Sequence, residues 1–433
     1  MQENNTIEIR AFKHLGSRTK GDKVIWAVVV LLALTSLLVV YSSTGLLAYK
    51  MYKGNTEIYL FKQFAFIIAG VMIIYFAHMV NYIIYARVAK ILFLISIPLL
   101  FYTLFFGVKL NEGSRWIRLP IVNMTFQTSD LAKLALIMYV SRLLSRKQDQ
   151  IKDFKKGFLP VILPVAVVCV LIAPANLSTA LLIGATCMML MFIGRVSGKH
   201  LLLTVGVVMI PVLILIMAAV VRHKTEEPTS INAKKDQTSS HSRLLIRVDT
   251  WINRVENFMY GAKANKEDDN YQVNQAKIAV ANGGWIGLGP GNSRQRNFLP
   301  HPYSDFIYAI IIEEYGLIGG AIIMFIYLVF LFRSIRIFKK CPFAFGAFLA
   351  LGLSFTLMIQ AIANMAVNVN LFPVTGVTLP LISMGGSSFL FTCLAIGIIL
   401  SVARNAERIE GEAKIAKEEL ENETEEEAEP VLA

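Results

Sequence analysis

Residues 341–403 contain no Asp, Glu, Lys or Arg, and neither do residues 157–194. Uncharged runs of that length have no place in a water-soluble core. A transmembrane helix needs about 20 mostly apolar residues, so each run has the length of two spans. Pro174-Ala175-Asn176 divides the first pair, and Phe372-Pro373-Val374-Thr375-Gly376 divides the second. Single spans are expected at 24–48, 63–86, 91–108, 201–221 and 306–332. A further span at 124–144 carries Asp130, Lys133 and Arg142. The pattern predicts an all-α polytopic membrane protein with ten transmembrane helices and a long extracytoplasmic loop between helices 7 and 8. Composition agrees: 17% of residues are charged, where a soluble chain carries about 25%. That excludes a soluble enzyme, a disordered chain and a fibrous protein.

The net charge of +12 points to basic loops at a negatively charged membrane surface rather than to nucleic acid. Basic residues cluster before span one, between spans two and three, four and five, six and seven, and eight and nine. These alternate loops share one side, so an even span count places both termini in the cytoplasm. The first apolar run is full length and is expected to anchor rather than be cleaved. Three parts result: a cytoplasmic segment 1–23, a transmembrane domain 24–404 containing the outer loop 222–302, and an acidic cytoplasmic tail 405–433. Within the loop, apolar and basic residues alternate from Leu244 to Met259, as in a helix lying in the membrane interface. Cys169, Cys187, Cys341 and Cys393 are scattered, which argues against disulfides and a zinc site. No motif for an organic cofactor is evident.

Six groups of residues stand out against this background. Asp305 lies where the outer loop meets span eight, and reads either as a helix N-cap or as a functional carboxylate. Glu313 and Glu314 lie inside that span, where a carboxylate is costly, and pair structurally or join a polar network. Arg115-Trp116 and the run from Gln127 to Lys133 place cations that neutralise a lipid-linked phosphate, or else Asp130 and Lys133 pair with each other. The glycines of Gly283 to Ser293, preceded by Gln272 and Gln275, read by default as a flexible loop. Gln360, Asn364 and Asn368, four apart, form one polar stripe suited to interhelical hydrogen bonds. A run of small residues, Pro373 to Ser388, permits close packing or a backbone bend beside a cavity.

Taken in order, these motifs resemble the SEDS family (shape, elongation, division and sporulation proteins) over residues 20–405. The run Gly291 to Gln295 is closer to the FtsW branch than to the RodA branch. Departures from the family pattern are Thr128-Ser129-Asp130 for Pro-Ser-Glu, Ala175 to Thr179 for Pro-Asp-x-Gly-Thr, Met384 for Tyr, and His301 for an acidic residue. The resemblance implies a peptidoglycan glycosyltransferase that polymerises lipid II on the outer face of the bacterial inner membrane, at the division septum. It implies Asp305 as the catalytic residue, with Arg115, Lys133, Gln272, Gln275, Gln295 and Ser387 on the substrate. It also implies a class B penicillin-binding transpeptidase and other divisome proteins as partners, and a divalent cation, Mg or Mn, without a dedicated metal-ligand set. Glycosyl transfer from a pyrophosphate needs a base but no acid for the departing group, so one carboxylate with nearby positive charge suffices. The alternatives are an elongation polymerase of the RodA type, a lipid II flippase, and a non-catalytic scaffold.

Overall fold

Each expected apolar run folds as a helix in the computed structural model, which describes residues 21–45, 47, 49, 56–110, 113–118, 125–225, 243–260 and 267–428. Asp22 starts α1 (Lys23–Ser43) by accepting the Val24 and Ile25 amides, as an N-cap should. There follow α2 (Glu57–Met79) and α3 (Tyr82–Phe106). A small antiparallel sheet in the order β1–β2–β3 comes next: β1 (Val108–Leu110), β2 (Gly113–Arg118) and β3 (Thr125–Gln127). The sheet corrects the all-helical expectation locally. It delivers the chain to α4 (Thr128–Arg146) with Gln127 already hydrogen-bonded to the start of the last helix.

The remaining helices are α5 (Leu159–Ile172), α6 (Leu177–Ile193), α7 (Gly198–Thr225), α8 (Arg243–Tyr260), α9 (Glu267–Gly283), α10 (Ile307–Lys340), α11 (Ala344–Asn368) and α12 (Ser387–Ala428). Among the described residues, eight helices are long and apolar enough to cross a membrane. The charged α4 and the shorter α6, of 17 residues, are helices as well but fall outside those eight, so the expected count of ten spans is not reached by this measure. The stretch expected to form an interfacial helix folds as α8. It is tied to the end of α7 by Arg222–Asp249 at 3.6 Å and by His223 stacked on Tyr260. The acidic tail continues α12 as helix to Ala428. The expected cytoplasmic segment 1–23 falls almost wholly outside the described residues.

α11 is buried along nearly its whole length, whereas α7 is almost wholly exposed. Uniformly apolar helices carry no stripe that separates a protein-facing side from a lipid-facing one. The bundle has two distinct ends. At one, Arg333 grips Asp22 at 2.6 Å, Lys340 meets Glu410 at 2.8 Å, and Arg404 donates to the carbonyl of Met79. At the other lie the starts of α4, α6, α10 and α12 and the end of α11, which is where the polar motifs gather.

α10 is broken at Gly316, whose φ of 72° falls in the left-handed region. The break frees backbone groups that a bilayer interior cannot satisfy. The glycine run after α9 satisfies them. Leu288 and Gly289 donate to the carbonyls of Glu313 and Glu314, and Leu317 and Ile318 donate to those of Gly284 and Trp285. The flexible loop expected at 283–293 is therefore a fixed turn pressed against α10. A Cβ on Gly316 would collide with the Trp285 carbonyl. Gly316→Ala is accordingly expected to destabilise the protein by on the order of 3 kcal/mol, read as a lower melting temperature in detergent.

Candidate active site

Asp305 sits one residue before the cap of α10. Phe306 is that cap, and it makes no side-chain cap bond. The N-cap reading of Asp305 is thus not what the fold uses. Asn368 does the capping from the neighbouring helix, its Oδ1 accepting the Ala309 amide at 2.9 Å. The partly exposed Asp305 carboxylate accepts from the Ser304 hydroxyl at 2.9 Å. Burial, and secondly the Asp305 carboxylate, push the neighbouring Tyr303 phenol above its ordinary pKa.

The main chain at Asp305 is held tightly. Its carbonyl accepts from Asn364 Nδ2 and Asn368 Nδ2, each at 2.9 Å. The Ser304 carbonyl accepts from Ser383 Oγ at 2.7 Å, and the Tyr303 carbonyl from the Met384 amide at 2.9 Å. The stripe of Gln360, Asn364 and Asn368, suited by its spacing to bonds between helices, bonds instead mostly to the carbonyls of irregular chain. Asn364 also reaches Val377 at 2.7 Å, and Gln360 reaches Thr378 at 3.0 Å. Asn368→Ala leaves the Ala309 amide and the Asp305 carbonyl without these partners. It is expected to lower stability by about 1–3 kcal/mol, measured as a drop in melting temperature.

On the other side of the 376–378 segment lies a cavity with about 50 Å³ open to water. Gln127, Asp130, Lys133, Thr186, Gln360 and Thr378 contribute to its lining. Lys133 Nζ meets Asp130 at 3.2 Å and Gln360 Oε1 at 2.9 Å. Asp130 and Lys133 therefore pair with each other, and Lys133 also lines the cavity. Asp305 does not line this cavity. The two share a wall, joined through Lys133–Gln360–Thr378 and Val377–Asn364–Asp305.

The other candidates are dispersed. Arg115 lies on β2, with its side chain outside the described residues. Gln272 and Gln275 lie on α9, away from the cavity lining. Ser387 opens α12, and its Oγ accepts the Gln127 amide at 3.2 Å. Gln295 is buried, and its main-chain N–H donates to Glu313. No cluster of three or more His, Cys, Asp or Glu suited to a metal occurs among the described residues.

A helical bundle whose polar, irregular segments meet at one end, with an ammonium lining a cavity there, defines a polytopic membrane protein with a polar site at one end of the bundle. Residues 22–408 match the cell cycle protein family of FtsW, RodA and SpoVE, and the chain belongs to that family. Stage V sporulation protein E of Bacillus subtilis is 31% identical over 392 residues, covering 89% of this chain and 98% of its own length. A probable peptidoglycan glycosyltransferase FtsW of Geobacter sulfurreducens is also 31% identical, over 386 residues, covering 88% of this chain and 95% of its own. Among solved structures, a chain from a peptidoglycan synthase complex that coordinates polymerization and crosslinking is similar, with a TM-score of 0.65, 22% identity, and 89% and 98% of the two chains covered. The rod shape determining protein RodA of Thermus thermophilus has a TM-score of 0.61 at 19% identity, covering 89% of this chain and 97% of its own. At these identities the structures support the fold alone.

Proposed function

We propose that the chain is a peptidoglycan glycosyltransferase that polymerises lipid II. The observation that carries this reading is the partly exposed Asp305, with its backbone fixed by α11 and by the segment before α12, sharing a wall with the Lys133 cavity. The 4-hydroxyl of the acceptor N-acetylglucosamine gives its proton to the Asp305 carboxylate and forms a β-1,4 bond to the anomeric carbon of the donor N-acetylmuramic acid. The bond from that carbon to undecaprenyl pyrophosphate breaks. The pyrophosphate departs as an anion and needs positive charge rather than a proton. Lys133, with Arg115, supplies that charge; Gln272, Gln275, Gln295 and Ser387 remain candidates for substrate contact. A positioned base contributes about 10²–10⁴-fold.

A divalent cation, Mg or Mn, would add positive charge for the departing pyrophosphate, but among the described residues no three His, Cys, Asp or Glu gather to hold one. The basic loops lie at the end of the bundle opposite Asp305, which by the positive-inside rule supports cytoplasmic termini and an outward-facing site. The FtsW and SpoVE relatives favour a role in division or sporulation over elongation. The proposed location is the septum and the proposed partners are a class B penicillin-binding transpeptidase and other divisome proteins; the similar chain from a complex that coordinates polymerization and crosslinking supports the transpeptidase.

Proteoliposomes loaded with lipid II in one leaflet test the reading. Glycan polymer in the leaflet facing Asp305 supports it. Movement of lipid II to the other leaflet without polymer identifies a flippase instead.

A further inference from the structure

Glu313 is completely buried, in a helix whose first turns are otherwise mostly apolar. An aliphatic side chain there would stabilise the span at least as well, because burying a carboxylate carries a large desolvation cost. What Glu313 does instead is close a loop. It accepts from Asn282 Nδ2 at 3.3 Å, before the glycine turn, and from the Ser293 hydroxyl, the Arg294 amide at 3.3 Å and the Gln295 amide at 3.2 Å, after it. Glu314, next to it, accepts from the Ser42 hydroxyl on α1, and Arg296 donates to the Ser42 carbonyl at 3.2 Å.

The segment that Glu313 grips ends at Asp305. From Ser293 the chain passes a short 3₁₀ turn at Gln295–Asn297 and the buried Leu299, then reaches Asp305 and turns into α10. Two turns further along α10 is Glu313 itself. Helix and loop therefore form a ring, closed on one side by the covalent chain through Asp305 and on the other by the Glu313 carboxylate. The bonds from Asn364, Asn368, Ser383 and Met384 pin the ring on one side of Asp305. Glu313 fixes the far end of the approaching segment, through several donors at once.

We infer that Glu313 is a positioning residue for Asp305: its carboxylate sets the path of residues 293–305 and thereby where the Asp305 carboxylate meets the acceptor hydroxyl. The inference rests on the glycosyltransferase reading for its kinetic effect, but not for its structural one. Glu313 touches neither the Lys133 cavity nor Asp305 directly, so it should act on turnover and not on substrate affinity.

The test uses the full-length protein in detergent, with lipid II as substrate and the variants Glu313→Gln, Ser293→Ala and the double variant. Glu313→Gln is expected to lower kcat on the order of 10²-fold, the loss that follows from misplacing a reacting group by about 1 Å, with KM unchanged. Ser293→Ala, which removes one donor and keeps the fold, is expected to lower kcat by a smaller factor. The double variant should be no slower than Glu313→Gln, because both changes break one linkage. Wild-type kcat in Glu313→Gln, a rise in KM in proportion to any loss, or multiplicative losses would overturn the inference. If Glu313→Gln does not fold, Ser293→Ala carries the test, and an unchanged kcat there overturns it. Trypsin provides an arm independent of catalysis: cleavage after Arg294 and Arg296 should accelerate in both single variants, and unchanged cleavage counts against the latch. A wild-type protein that makes no polymer, with variants that still show this change in proteolysis, would refute the glycosyltransferase reading and keep the structural role of Glu313.

Discussion

The variant Asp305→Asn is expected to fold as the wild type does and to make no glycan. The contacts that hold residue 305 run through its carbonyl, which accepts from Asn364 and Asn368 at 2.9 Å and is untouched by the substitution. The side chain has one bond to keep, from the Ser304 hydroxyl, and an amide oxygen accepts it equally well. What the variant lacks is basicity. A sugar hydroxyl is a weak nucleophile at neutral pH, so losing the base should lower turnover by about 10²–10⁴-fold. The melting temperature should stay unchanged. Turnover of lipid II by Asp305→Asn within a few-fold of wild type, in a folded sample, would refute the base assignment.

The second large effect is expected at Lys133. Its ammonium is the partner of Asp130, whose side chain is only 6% exposed. The second oxygen of Asp130 is buried without a hydrogen-bond partner. Lys133→Ala would leave that carboxylate alone in the bundle, and breaking a buried pair from one side costs about 3–5 kcal/mol. The melting temperature should fall steeply. Pairing Lys133→Gln with Asp130→Asn removes both charges and should recover most of the lost stability. Activity should not follow. With the Lys133 cation gone from the cavity, KM for lipid II is expected to remain raised by on the order of tenfold, about the size of one charge-assisted hydrogen bond. A double variant that recovers both stability and KM would show that the pair serves the fold alone.

Helices are legible in this sequence because the length of an apolar run depends on nothing beyond the run itself. α4 is legible despite its charges, since Asp130 and Lys133 stand three apart and face each other on a helix. The sheet at 108–127 is not, because strands of three to six mixed residues carry too little alternation to register. The glycine run reads as a free loop, although its composition is a signal of close backbone approach. Its partner groups are main-chain carbonyls and amides exposed by the break at Gly316, and these have no sequence signature. Asn364 and Asn368 stand out as a stripe by their spacing. That the stripe meets the carbonyls of residues 305 and 377, and so joins the carboxylate to the cavity wall, depends on packing between segments far apart in the chain. Glu313 reads as part of a polar network, and the network is the loop that leads to Asp305.

The most direct measurement places purified wild-type protein and purified lipid II in detergent, with no other protein present, and resolves the products by length. A ladder of glycan strands from the wild type, absent from an equally folded Asp305→Asn sample, is the predicted result. A folded wild-type protein that leaves lipid II monomeric, with or without a cation and the cognate transpeptidase added, would contradict it.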